Sequence, residues 1–203
     1  MVSHLFTTPI VYHQVPLLAE QVEEVCGYLA ELRAKTPGER RSNVGGWHSS
    51  SDLFDPSRHR QFPPLSELVT KGLFDYFGNV MGFEGEVRFA LSGWAVINRA
   101  GDTNAPHTHP RNLLSGAYYL RVPEGMEGGE IAFMDPRFNA NAYGSEAMQR
   151  IGLRPPWDTP QVLHAPKQGD LLIFPSWLGH YVNAFRAPNP QAERVVISFN
   201  AAV

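Results

Sequence analysis

The chain has 203 residues, 43% hydrophobic and 18% charged, with a formal net charge of -3, 18 Gly, 17 Pro and one Cys. That length allows one sizeable core, and the scattered, slightly acidic charge excludes a polycationic phosphate-binding surface, so nucleic acid is not an implied partner. With a lone cysteine, Cys26, no secretory pattern at the N-terminus and no apolar run of about eighteen residues, the expectation is a cytoplasmic protein with no membrane segment.

Residues 1–16 read as an extended lead-in. From Leu17 the positions Leu18, Val22, Val25, Cys26, Leu29 and Leu32 follow a 3.6-residue stripe that Pro37-Gly38 closes, which predicts a first helix. The stretch 39–64 is polar and glycine-rich and is expected outside the core, with Trp47, His48 and Ser49 serving packing and turn chemistry ahead of any role as a substrate-side lid. A second amphipathic helix is predicted over about 65–80 through Leu68, Val69, Leu73, Tyr76 and Phe77. After Gly85 the texture changes to short runs rich in β-branched and aromatic residues between Gly and Pro breaks, roughly eight strands in all. The fold expected is mainly β with flanking α-helices: a jelly-roll, cupin-like core with the two N-terminal helices packed on the sheet. We read 1–203 as a single domain, 1–85 forming helical support and 86–203 the core. The insert 138–160 is expected to hang over one end of the barrel.

Within the core, His107 and His109 differ by two and so share a face if extended, while Pro110 ends any continuing ladder and puts the pair at a barrel mouth. His180, after a Pro- and Gly-containing turn, can bring a third imidazole across. Three imidazoles hold a divalent first-row metal and leave positions free. Further on, Arg194, Val196 and Ser198 share a face by the period of two. A guanidinium facing a barrel interior is costly unless an anion meets it; a dicarboxylate co-substrate would be that anion, gripped by Arg194 and Ser198. The alternative for Arg194 is a salt bridge to Asp170 or Glu193. Asp135-Pro136-Arg137 reads as a strand terminus held by its own turn, and His4, His13, His59 and His164 receive no role.

The segments TrpAlaValIleAsnArgAlaGlyAspThrAsnAlaProHisThrHisPro from Trp94, LeuSerGlyAlaTyrTyrLeu from Leu114, PheMetAspProArg from Phe133, GlyAspLeuLeuIlePheProSerTrpLeuGlyHis from Gly169 and GluArgValValIleSerPheAsn from Glu193 occur in this order. With SerAsnValGlyGlyTrpHisSer upstream, the set resembles the 2-oxoglutarate- and Fe(II)-dependent oxygenases, in particular small members related to prolyl hydroxylases. The resemblance implies His107 as the first iron ligand, His180 as the distal one, and Arg194 with Ser198 as the clamp for the 2-oxoglutarate tail. It also implies that Tyr119 helps hold that tail, although Tyr118 is its alternative. The sequence departs from the usual His-x-Asp or His-x-Glu triad: either His109 replaces the carboxylate, the reading favoured here, or Asp135 supplies it. The implied activity is hydroxylation of a small-molecule or peptide substrate, using Fe(II), 2-oxoglutarate and O2 and releasing succinate and carbon dioxide. Two alternatives stand beside it: a cupin-like dioxygenase or isomerase that does not use 2-oxoglutarate, and a non-catalytic metal-binding jelly-roll module. Oligomeric state is open.

Overall fold

The computed structural model describes residues 6–137, 145–153 and 159–203. Parts of the insert 138–160, at 138–144 and 154–158, lie outside the described residues. The first helix is α1 (Ala19–Lys35), where the Gln21 carboxamide accepts the Leu18 N–H at the entry and the Thr36 hydroxyl donates to the Leu32 carbonyl at the exit. The second, α2 (Pro63–Asp75), starts on two prolines, which suits the turn whose N–H groups have no helical partner. It gives way to a π-helical turn at Tyr76–Val80, so the stretch expected to be helical to Val80 changes its winding five residues early. No helix among the described residues is long and apolar enough to cross a membrane.

The strands form two main antiparallel sheets. The first joins β1 (Val11–Gln14), β3 (Trp47–His48), β4 (Ala90–Asn98), β6 (Leu114–Arg121), β10 (Asp170–Pro175) and β13 (Arg194–Ala202) in the order β1-β10-β6-β13-β4-β3. The second joins β2 (Asn43–Val44), β5 (Thr103–His107), β8 (Ile131–Met134), β9 (Gln161–His164) and β11 (His180–Val182) in the order β2-β5-β11-β8-β9. A small ribbon pairs β7 (Glu127–Gly128) with β12 (Phe185–Arg186), and a short helix α3 (Ser145–Arg150) lies within the insert.

The first sheet is buried on both faces, which explains why its central strands read as nearly unbroken apolar runs. Alternation sorts their residues. Ala95 and Ile97, Tyr118 and Leu120, Leu171 and Ile173, and Val195, Ile197 and Phe199 join Val22, Val25 and Leu29 of α1 and Leu65, Val69 and Leu73 of α2 in one cluster. The intervening Ala117, Tyr119, Leu172, Phe174 and Val196 join Ile131 and Phe133 of the second sheet in another. Helices thus cover one face and the second sheet covers the other.

The stretch 39–64 corrects the sequence expectation. Trp47, His48, Ser49, Leu53, His59 and Phe62 are buried there, and β3 pairs with β4 through Trp47 opposite Ile97 and His48 opposite Val96. Edge pairing supplies the hydrogen bonds that a polar stretch needs in order to be buried. His59 also gains partners that its spacing did not suggest, the Tyr28 hydroxyl at 2.6 Å and Asp52 at 3.5 Å.

Candidate metal centre and anion pocket

His107 ends β5 and His180 begins β11, and the two residues are directly opposite in the ladder. Each ring is held from behind. His107 Nδ1 lies 2.8 Å from the Ala105 carbonyl and His180 Nδ1 lies 2.9 Å from that of Leu178, contacts that require a hydrogen on Nδ1. Both Nε2 atoms therefore carry a lone pair towards the interior, the arrangement that metal-binding imidazoles use. His109 follows two residues after β5, its N–H donating to the Ser176 carbonyl at 2.9 Å, and its Nε2 comes within 3.3 Å of His180 Nε2. One nitrogen from each of the three histidines lies within 4.8 Å of the others.

Burial keeps these rings neutral. It lowers His109 to about 3 and His180 to about 4, with the neighbouring histidines adding to the effect, and it lowers His107 as well. Phe174 stands edge-on to His180 with centroids 4.8 Å apart, and Trp94 lies 5.7 Å from His109. Among the described residues no carboxylate joins the cluster. Asp135 is instead held by the Arg137 guanidinium at 2.5 and 2.9 Å, which also keeps its carboxyl below the usual range, as the reading of a self-stabilised strand end expected.

Arg194 opens β13 and is only 2% exposed. Its Nη1 donates to the Gly129 carbonyl at 2.8 Å, its guanidinium carbon sits 5.5 Å from the Phe185 ring centre, and its Nε is buried with no partner among the described residues. Neither proposed protein carboxylate reaches it. Glu193 is taken by Arg33 at 2.8 Å and by Arg99 at 2.9 and 3.0 Å. Asp170 accepts from Gln14 at 2.6 Å and from the Lys167 N–H at 2.7 Å, with His164 at 3.0 Å. A buried charged donor left unpaired costs about 1–3 kcal/mol or more, so the Nε marks a place where an acceptor would be gained. Gly129 has φ of 75°, and a Cβ there would approach Arg194 Nη1 to 3.0 Å, so glycine serves both the turn and the guanidinium.

A cavity of about 440 Å³ connects the two features, lined by the three histidines together with Arg194, Ser198 and Tyr119. That size suits a small organic ligand. The tyrosines divide: Tyr119 lines the cavity, with burial raising its hydroxyl to about 12, while the Tyr118 hydroxyl donates to the Val15 carbonyl at 2.9 Å on the helix side. Sequence reasoning gave no site role to His48, Trp94 and Asn200, which are among the lining residues. His48, its Nδ1 2.6 Å from the Ser49 carbonyl, stacks on Trp94 with an interplanar angle of 14°. Asn200 continues the Arg194, Val196, Ser198 face of β13, and the period of two could have found it.

A family model described as "Putative 2OG-Fe(II) oxygenase" matches residues 92–200. The chain belongs to this family of 2-oxoglutarate- and Fe(II)-dependent oxygenases. Iron and 2-oxoglutarate are the family's cofactors, and His107, His109 and His180 could bind the iron. No curated protein matches the chain. Among solved structures, a prolyl-4-hydroxylase from Pseudomonas putida is similar over 98% of this chain and 94% of its own, at 16% identity and a TM-score of 0.63. A prolyl hydroxylase from Trichoplax adhaerens, in complex with a hypoxia inducible factor peptide fragment, covers 95% and 83% at 15% identity and a TM-score of 0.63. HygX from Streptomyces hygroscopicus, with nickel and 2-oxoglutarate bound, covers 97% and 83% at 15% identity and a TM-score of 0.58. At such identities the feature shared with this chain is the fold.

Proposed function

We propose that this protein is a 2-oxoglutarate- and Fe(II)-dependent hydroxylase in which His107, His109 and His180 hold the iron and Arg194, Ser198 and Tyr119 hold the co-substrate tail. The observation that carries the reading is the meeting of three imidazole nitrogens within 4.8 Å in the same cavity as a buried guanidinium whose Nε has no described partner. The donors fit the group: neutral nitrogens suit a divalent first-row metal, and a buried arginine suits a carboxylate. Bound together, iron and 2-oxoglutarate supply the oxidising chemistry, consuming O2 and releasing succinate and carbon dioxide.

The chain's own part is to bind and orient. The Ala105 and Leu178 carbonyls fix the tautomers of His107 and His180, so their Nε2 atoms need no proton loss to accept a metal. Trp94, Phe174 and Phe133 exclude water from the histidine side, and Arg194 fixes the far end of a dicarboxylate while Ser198, two rungs along the same face, donates a hydroxyl. On this reading the whole chain is one jelly-roll domain, 1–85 bracing the core and 86–203 carrying the site. Its substrate is a small molecule or peptide, met in the cytoplasm. The reading without an oxo-acid expects Arg194 to contact protein rather than ligand; its Nη1 does meet the Gly129 carbonyl, but its Nε has no partner among the described residues and both candidate carboxylates are occupied elsewhere.

The test is an anaerobic titration of the Fe(II) protein with 2-oxoglutarate. A weak visible charge-transfer band is expected, and Arg194→Ala should weaken the titration by on the order of a hundredfold, the loss of a charge-assisted pair worth about 2–3 kcal/mol. Absence of the band, with equal affinity in the variant, would overturn the proposal.

A further inference from the structure

The cavity is short of negative charge. Glu39 is the one carboxylate among its described lining residues, and it is held by Arg41 at 2.8 Å. The remaining lining cation is Arg194, 2% exposed and with its Nε unpartnered among the described residues. Asp135 does not belong to the lining and is neutralised by Arg137. At the place where the wider superfamily carries a metal-binding carboxylate, this chain has the neutral imidazole of His109.

The charge consequence follows from the Fe(II) and 2-oxoglutarate reading of this same site, on which it rests. A divalent metal and the Arg194 guanidinium outweigh a dianionic co-substrate by one positive unit; a carboxylate at position 109 would cancel that unit. Net charge in a water-poor interior is costly unless a counter-charge enters. We propose that the site admits one further monoanionic group beside the three histidines, either the carboxylate of the prime substrate or a small free anion. The cavity wall is suited to receive it. Asn200 Oδ1 accepts from the Ser115 hydroxyl at 2.7 Å, which leaves the Asn200 NH2 to donate into the cavity. The Ser42 hydroxyl, which accepts from the Asn104 NH2 at 3.3 Å, lies 3.4 Å from His107 Nε2 and becomes a free donor once that nitrogen takes a metal.

The experiment uses the full chain loaded with Co(II) and saturated with 2-oxoglutarate, titrated with azide, chloride and acetate while ligand-field absorption and binding heat are followed. At least one anion should bind the wild-type protein. His109→Asp should weaken it on the order of tenfold or more, since a unit charge a few ångströms away opposes it, whereas the neutral Thr108→Asn, which keeps all three histidine donors, should stay near wild type. Should His109→Asp not fold, Thr108→Asp places the compensating charge on the same cavity wall without altering a donor, and the same weakening is expected. Binding of acetate alone assigns the group to a substrate carboxylate; binding of azide or chloride assigns it to a free anion. A wild-type spectrum and heat that no anion perturbs, or equal affinity in the aspartate variant, would overturn the inference. Failure of Co(II) to bind at all would fall on the metal centre itself, and 2-oxoglutarate binding without anion binding would fall on this inference alone.

Discussion

The two faces of the six-stranded sheet are built by the same strands and differ in what lies against them. On one, Tyr118, Ile197 and Phe199 meet the aliphatic stripes of α1 and α2, and the space is filled. On the other, Tyr119, Val196 and Ser198 meet the shorter strands of the second sheet, and a cavity of about 440 Å³ remains. Adjacent residues such as Tyr118 and Tyr119 therefore have opposite duties. The first face provides rigidity, and the second uses that rigidity to hold polar groups whose hydrogen bonds a packed core would have satisfied.

Substitutions can test that division. The largest stability effect is expected on the filled face: Ile197→Ala, fully buried, should cost about 2–5 kcal/mol in urea unfolding. Cobalt and 2-oxoglutarate affinity of the molecules that stay folded should change little; a large loss there would show that the two faces are coupled. Acid should act through the cavity face. His109 and His180 have folded pKa values of about 3 and about 4, below the unfolded value near 6.5, so below that value the unfolded chain takes up protons that the native state refuses. The metal-free protein should lose up to about 1.4 kcal/mol per pH unit for each of these histidines as pH falls from roughly 6.5 towards 4. Urea titrations across that window check this, and a shallower profile in His109→Gln/His180→Gln, with the share due to His107 and His48 remaining, would assign it. The smallest effect separates the tyrosines. Tyr118→Phe should cost about 1 kcal/mol of stability through the lost bond to Val15 and leave 2-oxoglutarate affinity intact, whereas Tyr119→Phe should do the reverse, as paired calorimetric and unfolding measurements would reveal.

Much of this could be read from the chain because periodicity carries it. The α1 stripe, the His-x-His spacing and the Arg194, Val196, Ser198 alternation each repeat long enough to be seen. Other parts had no period to offer. β2 and β3 are two residues each, too short to alternate, so the burial of Trp47 on one side and His48 on the other was hidden in a polar stretch. The choice between Tyr118 and Tyr119 depended on which face the helices cover, and the freedom of Arg194 depended on Glu193 and Asp170 finding other partners. These are facts of tertiary contact.

The location of the imidazoles has a consequence for how the protein comes together. His109 and His180 are 71 positions apart in the chain and meet only after the strands between them have closed. A site with such distant parts is a late product of folding, because long-range closure must be completed before any donor set exists. A metal bound there would act as a removable staple across that long loop, so nascent or partly unravelled chains would have little hold on it, while the finished protein would unravel more slowly with it in place.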